Sequence, residues 1–354
     1  PSPHPPGLFW PGSTKNLWFN GICLLMDSDR HTLPTEGNSN PTSCKHETGA
    51  TETPCYHGGT MIVDCHQHLF DGIYPAENFI EKMTAAGIDK AAFMASICGT
   101  IPEPAPAVLA ALRFSLRRPW LRPPVKKLLT RFTQDGDVVL PSGVIRINQT
   151  PDNDEVFKLS EQYPDRFLAW CMVNPASGQD PIAEYERWKN HRAFVGVKAH
   201  PFWHRYPLSR LFPLCERLAE DKHPLIIHAG FDDLEQLLPL ASALPDLGIV
   251  LAHAAFPFFD DAWKAVRERK NILVDLSATA YVDSSIMAGV SSVLGVERCL
   301  FGTDGPFGSH GAEGDFDMNV IKSRIETHFP DKGHQRMILG ENFLNLVTRH
   351  SQIQ

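Results

Sequence analysis

Residues 61–72 read MIVDCHQHLFDG, and this stretch opens the regular part of the chain. Met61–Cys65 is short and almost continuously apolar, which is typical of a strand buried on both faces. His66 and His68 follow directly, at the carboxyl end of that strand. Alternate residues of an extended chain point the same way, so both imidazoles can reach one cation. Alone the pair is weak evidence for a metal, because it also fits a surface loop.

Seven further strands of the same kind are predicted along the chain, at Lys90–Ala95, Phe167–Val173, Phe194–Ala199, Leu225–Ile227, Gly248–Ala252, Asn271–Asp275 and Cys299–Gly302. Amphipathic helical patterns alternate with them, at Ala76–Ala86, Asp180–Asn190, Leu208–Asp221, Asp232–Ala243, Asp260–Arg269, Ser284–Leu294 and Phe316–His328. This alternation predicts an α/β fold, a (β/α)8 barrel of the TIM type. An open doubly wound sheet is the alternative, but its glycine-rich turn after the first strand is replaced here by HQHLFDG.

Two segments depart from the repeat. Residues 1–60 are rich in Pro, Ser, Thr, Asn and Gly, so they are predicted to be an irregular or disordered extension before a catalytic domain at 61–354. A helical insertion at about 99–151 follows the second strand and carries seven lysines and arginines, and no acid, between Glu103 and Asp135. It fits either a solvated helical excursion or a lid whose cations meet an anionic substrate.

Composition limits the classes of partner. The chain has 354 residues, 43% of them hydrophobic, and a formal net charge of -8, without the basic excess of a nucleic-acid-binding protein. Its apolar runs are too short to cross a bilayer, and its first residues lack the features of a signal peptide. A cytoplasmic protein is therefore expected. Its eight scattered cysteines are predicted to be reduced and mostly buried.

Polar side chains recur at the carboxyl ends of later strands. Lys198 and His200 follow the fourth strand, His228 the fifth, His253 the sixth and Asp304 the eighth. Active sites of TIM barrels are built at this end of the barrel, whereas core histidines would rarely repeat such a pattern. Imidazole nitrogens and a carboxylate are suitable ligands for zinc or another divalent first-row metal.

This arrangement resembles the amidohydrolase superfamily. The motifs MIVDCHQHLFDG, GVKAHP, LIIHAG, LFGTDGPFG and ILGENFLNL resemble its amidohydrolase-related branch, which includes aminocarboxymuconate semialdehyde decarboxylase, resorcylate decarboxylases and lactone hydrolases. The resemblance spans Met61–Val347. It implies that one divalent metal, zinc or alternatively manganese, is held by His66, His68, His228 and Asp304. It also implies a catalytic role for His253 and makes a homodimer possible.

The leading hypothesis is hydrolysis of a small carboxylated lactone, amide or ester. Asp304 would take a proton from a metal-activated water, and His253 would polarise the carbonyl. Lys198 would pair with a carboxylate of the substrate or the protein, and His200, Phe202 and Trp203 would line the pocket. Non-oxidative decarboxylation is the alternative. The sequence His228-Ala229-Gly230 favours hydrolysis, because decarboxylases of this branch often have His-Pro and an aromatic residue there. A non-catalytic binding protein is a third hypothesis, which the intact ligand set disfavours.

Overall fold

Eight parallel strands form one sheet, in which each strand pairs with the next one along the chain. The computed structural model describes residues 61–69, 75–99, 101, 104–141, 143–307 and 316–348, and the predicted extension at 1–60 lies outside them. The strands are Val63–His68, Lys90–Met94, Phe167–Val173, Phe194–Ala199, Leu225–Ile227, Ile249–Leu251, Ile272–Asp275 and Cys299–Leu300. The predicted bounds are off by at most two residues, except that the first strand continues through His68.

Backbone hydrogen bonds join the first strand to the end of the eighth. The amide of Cys65 donates to the carbonyl of Phe301 over 2.9 Å. The amide of Asp304 donates to the carbonyl of His66 over 2.7 Å. The amide of His68 donates to the carbonyl of Gly305 over 2.9 Å. These bonds bring the two edge strands of the sheet together. The (β/α)8 TIM barrel predicted from the sequence is therefore confirmed.

Helices alternate with the strands. The longer ones outside the insertion are Ala76–Ala85, Asn153–Gln162, Pro181–Trp188, Phe212–Glu220, Leu234–Ala243, Ser284–Leu294, Asn319–His328 and Asn342–Thr348. Shorter helical segments include Pro201–His204, Asp260–Ala265 and Lys332–Arg336. The helix at Asn153–Gln162 was not predicted, although Asp152 caps it by accepting from the amide of Glu155. Within the described ranges, no helix combines the length and apolar character that a membrane span needs.

The bottom of the barrel is filled by large side chains. Trp170 is fully buried in the interior, and its indole nitrogen donates to the carbonyl of Cys65 over 2.9 Å. A Cβ added to Gly196 would lie 2.6 Å from the Trp170 ring, so only glycine fits beside it. Phe343 and Leu346 of the last helix join the same apolar cluster. This end of the barrel is packed for stability, and the polar residues collect at the other end.

The insertion after the second strand is only partly helical. Helices span Pro106–Leu116 and Arg122–Leu129, as the predicted helical character requires. They are followed by an antiparallel hairpin of Val138–Leu140 and Gly143–Ile145, which the sequence analysis did not predict. The five cysteines in the described residues are free and buried, as predicted: Cys65, Cys98, Cys171, Cys215 and Cys299.

Candidate metal centre

A register shift in the first strand aims both of its histidines into the mouth of the barrel. Val63 packs in the apolar interior, and the pairing of this strand with the second one shifts between Asp64 and Gln67. Such a bulge changes the direction of the side chains that follow it. His66 and His68 consequently lie within reach of Asp304, across the point where the barrel closes.

Asp64 ties this bulge to the end of the eighth strand. Its carboxylate accepts from the backbone amides of His66 and Thr303, and from the hydroxyl of Thr303 over 2.6 Å. Burial raises the pKa of Asp64 to about 7, against the lowering effect of these hydrogen bonds. Asp64 therefore has a structural hydrogen-bonding role at this bulge.

The protons on His66 and His68 follow from their partners. Nδ1 of His66 lies 3.0 Å from the carboxylate of Asp275, and Nδ1 of His68 lies 3.0 Å from the carbonyl of Ala95. Both partners only accept, so each Nδ1 carries the proton and each Nε2 of a neutral ring has a lone pair. These Nε2 atoms lie 3.3 and 3.5 Å from the same oxygen of Asp304.

A second chain of hydrogen bonds assigns the protons of His228. The hydroxyl of Ser277 donates to Asp275, so its oxygen accepts from Nδ1 of His253 over 2.8 Å. Nε2 of His253 then accepts from Nδ1 of His228 over 3.1 Å. Nε2 of His228 is left with a lone pair. This atom is buried and has no hydrogen-bond partner among the described residues.

The side chains fit a divalent metal ion. One donor atom each from His66, His68 and Asp304 lies within 4.8 Å of the other two. A buried acceptor without a donor, such as Nε2 of His228, is costly unless it binds a ligand. Three imidazole lone pairs and a carboxylate are a donor set that zinc uses. The fourth predicted ligand, His228, is not part of that cluster of three, and its coordination stays a prediction.

Lys198 lies beneath this centre. Its side chain is fully buried, and its Nζ is 3.0 Å from Nε2 of His66. Burial lowers the pKa of Lys198 to about 8, against the opposing attraction of Asp304 and Asp275. The amine of Lys198 and a metal ion would compete for the lone pair on Nε2 of His66. Metal binding at His66 therefore requires the hydrogen bond from Lys198 to break. Lys198 is absent from the residues that line the described cavity.

The backbone is strained where two strands end at the centre. His253, Ala254 and Ala255 have φ values of 55°, 53° and 65°, and Asp304 has a φ of 60°. Residues other than glycine rarely occupy this left-handed region, and they cluster at functional sites when they do. The amide of His253 donates to Asp275 over 3.0 Å, which helps to hold the first of these turns.

A cavity of about 140 Å³ opens next to the centre. Its polar lining residues are His68, His200, His228, Tyr281 and Asp304, and its apolar ones are Ile97, Ile101, Pro104, Leu109, Leu112, Leu129, Leu140, Trp203, Ala278, Ala280 and Phe307. His200 and Trp203, which were predicted to line the pocket, are among these residues, and their contact with a substrate stays a prediction. Phe202 does not line the cavity, and its ring packs 5.8 Å from that of Phe231 and 6.3 Å from that of Phe256. His253 is also absent from the lining.

The insertion covers the cavity and is fastened by its cations. Arg113 pairs with Asp283, Arg117 with Asp260, Arg122 with Asp261 and Lys126 with Asp232. These aspartates follow the fifth, sixth and seventh strands, so the insertion reaches across the barrel mouth. The insertion therefore lies where a lid would lie. Its four cations, however, pair with aspartates of the barrel, and we call these four ion pairs the lid clamp. Asp232 and Asp260 belong to this clamp. The N-cap residues of the helices Leu234–Ala243 and Asp260–Ala265 are Asp233 and Phe259.

Some residues of the site were missed in the sequence. Asp275 and Ser277 orient His66 and His253, and they follow the same rule of polar residues at strand ends, since they lie at and after the end of the seventh strand. That rule could have found them. Tyr281 and Phe307 line the cavity from later loops, where no periodic pattern marks them.

Comparison with known proteins gives the family. The profile described as amidohydrolase matches residues 63–343, whereas no curated protein matches the chain. Similar solved structures include an amidohydrolase from Burkholderia multivorans with bound zinc, at 10% identity and a TM-score of 0.54, covering 81% of this chain and 99% of the other. A probable 2-pyrone-4,6-dicarboxylic acid hydrolase from Acinetobacter baumannii is 14% identical, with a TM-score of 0.50 and coverages of 81% and 98%.

A third similar structure is 5-carboxyvanillate decarboxylase from Sphingomonas paucimobilis, at 13% identity and a TM-score of 0.50. It covers 82% of this chain and 99% of the other. At these identities the three structures bear on the fold, and the profile, which spans most of the chain, bears on the family. Together with the barrel and its histidine and aspartate cluster, that match shows that the chain belongs to the amidohydrolase family.

Proposed function

We propose that this protein is a metal-dependent hydrolase of a small lactone, amide or ester. The observation that carries the proposal is the position of Asp304, which lines the cavity and meets the Nε2 atoms of His66 and His68 with one oxygen. Its other oxygen lies 3.9 Å from Nε2 of His253. A carboxylate between the ligand imidazoles and the substrate cavity can take a proton from water and pass it to the leaving group.

His66, His68, His228 and Asp304 would hold the metal, and zinc suits this donor set best, with manganese as the alternative. When bound, the metal supplies a Lewis acid that polarises a carbonyl and makes water acidic enough to react near neutral pH. Asp275 and the carbonyl of Ala95 keep the rings of His66 and His68 in the orientation that this coordination needs.

His200 has the proton arrangement of a hydrogen-bond donor. The backbone amide of Trp203 donates to its Nδ1 over 3.2 Å. Burial lowers the pKa of His200 well below its usual range, so the ring is neutral and its proton is on Nε2. His200 lines the cavity, and this N–H can stabilise the oxygen of a substrate carbonyl as negative charge develops there.

His253 is assigned a different part from the one expected in the sequence. Both of its ring nitrogens already have partners, Ser277 and His228, and the side chain is outside the cavity lining. We therefore propose that His253 is a positioning residue that acts through His228, and that His200 rather than His253 polarises the carbonyl.

Decarboxylation of an aromatic or unsaturated acid is the second candidate, since the same family and fold include a decarboxylase among the similar structures. The two reactions differ in their products. The zinc- or manganese-loaded protein should be incubated with aryl esters and lactones, and in parallel with hydroxybenzoates, while acid release and CO₂ release are recorded. Hydrolysis of esters or lactones is expected. Release of CO₂ from hydroxybenzoates, with every ester and lactone left intact, would overturn the proposal.

A further inference from the structure

We infer that the cavity receives a neutral, apolar group of about six carbons and that leucines of the lid select it. This inference rests on the proposed function, because the group would be the acyl or alcohol part of the hydrolysed substrate. It departs from the anionic substrate expected from the sequence.

The cavity has a polar end and an apolar body. His68, His200, His228 and Asp304 form the polar end, next to the candidate metal centre. The lid contributes four leucines to the apolar body, namely Leu109, Leu112, Leu129 and Leu140. Trp203 and Phe307 add aromatic surface from the barrel loops. No lysine or arginine is found among the described lining residues, so a second anionic group of a substrate would lack a cationic partner there.

The nearby cations have other partners. The clamp of Arg113, Arg117, Arg122 and Lys126 is bound to barrel aspartates, and Lys198 is bound to His66.

The volume suits a single ring. A cavity of about 150 Å³ lined by leucine, isoleucine and phenylalanine is known to bind benzene, and the present one measures about 140 Å³. Burying a carboxylate without a partner is far costlier than burying a ring, so a carboxylated ring should bind at least about tenfold more weakly. The reacting ester or lactone would then lie at the polar end, against His200 and Asp304.

The test compares two probes that do not react: benzyl alcohol and 4-(hydroxymethyl)benzoate. Their binding to the full-length, metal-loaded protein is measured by calorimetry, and phenyl acetate and 4-acetoxybenzoate are compared in parallel as ester substrates. The expected result is binding of benzyl alcohol and binding of the carboxylated probe that is at least about tenfold weaker. Equal or tighter binding of the carboxylated probe, or no binding of benzyl alcohol, would overturn the inference. Selective binding without hydrolysis of any ester would overturn the proposed function and leave the cavity preference standing.

Adjacent leucines of the lid supply a matched control. Leu129 lines the cavity, whereas Leu128 is 40% exposed and absent from the lining. Leu129→Arg should weaken the binding of benzyl alcohol at least about tenfold, since it places a cation in an apolar site. It should also reduce the difference in affinity between the two probes. Leu128→Arg should change neither the affinity for benzyl alcohol nor the difference in affinity between the two probes. Leu112→Asn, a smaller change, should weaken benzyl alcohol in the same direction if Leu129→Arg does not fold. Equal affinities for benzyl alcohol in all three variants and the unaltered protein would contradict the assignment.

Discussion

Nε2 of His253 lies 3.1 Å from Nδ1 of His228, and this hydrogen bond decides what His228 can do. Because Nδ1 of His253 donates to Ser277, its Nε2 can only accept from His228. The free lone pair of His228 is thereby placed on Nε2. His253, at the end of the sixth strand, thus orients the predicted metal ligand His228 at the end of the fifth, through a relay that begins at Asp275.

Replacing His253 should weaken metal binding before it affects the fold. In His253→Ala, Nδ1 of His228 loses its partner and the ring loses the bond that holds its orientation. Loss of such a partner typically lowers metal affinity by about 10- to 100-fold. Competition with a chromogenic chelator measures this affinity. His191→Ala is the control, since His191 pairs with Glu161 away from the centre; metal affinity unchanged in His253→Ala would contradict the positioning role.

Asp304→Asn should remove turnover while the barrel stays folded. Asparagine keeps the shape of the side chain but cannot take a proton from water, and general base catalysis typically contributes at least about 100-fold. The rate of ester or lactone hydrolysis is measured beside the far-ultraviolet circular dichroism spectrum and the melting temperature. Full activity in a folded Asp304→Asn protein would refute the role of Asp304 as the base.

The lid clamp should affect KM more than stability. Arg117 donates two hydrogen bonds to Asp260, over 2.7 and 3.0 Å, and partly exposed ion pairs contribute only about 0 to 1 kcal/mol. Arg117→Ala should raise KM several-fold with a small change in melting temperature, because the lid leucines lose their support. The exchanged pair Arg117→Asp with Asp260→Arg should recover part of the loss. A KM that is the same in all three proteins would show that this pair does not hold the lid.

The stability of the fold should fall as the pH rises from about 4 to 6, because of Asp233. Burial, with a contribution from Asp232, raises the pKa of Asp233 from 3.8 to about 6. The folded state then binds more protons than the unfolded state in this window, so its stability is lost as the pH rises through it, by an amount on the order of 3 kcal/mol. Asp233→Asn keeps an oxygen for the amide of Gly230, which donates to the carboxylate over 2.5 Å. Between pH 4 and 7, the melting temperature should fall less in Asp233→Asn than in the unaltered protein. Parallel curves of melting temperature against pH would show that Asp233 does not cause the fall.

The sequence predicted what depends on local pattern. Short apolar runs gave all eight barrel strands, because strands buried on both faces leave a clear signature. The polar residues at their ends could be found for the same reason, including His66, His68 and Asp304. The relay from Asp275 to His228 depends on contacts between residues distant in sequence, so no local signal describes it. The basic residues of the insertion could be counted, but their partners could not, since the aspartates that hold them lie more than 100 positions along the chain.

Zinc binding measured by calorimetry, in the unaltered metal-free protein and in His228→Ala, tests the central claim most directly. The three histidines and Asp304 predict one tightly bound zinc ion per chain, and loss of His228 should weaken it at least about 10-fold, as expected for removal of a ligand rather than of its support. Elemental analysis of the loaded protein checks the stoichiometry. Far less than one zinc per chain, or equal affinity in His228→Ala, would contradict the four-residue metal centre.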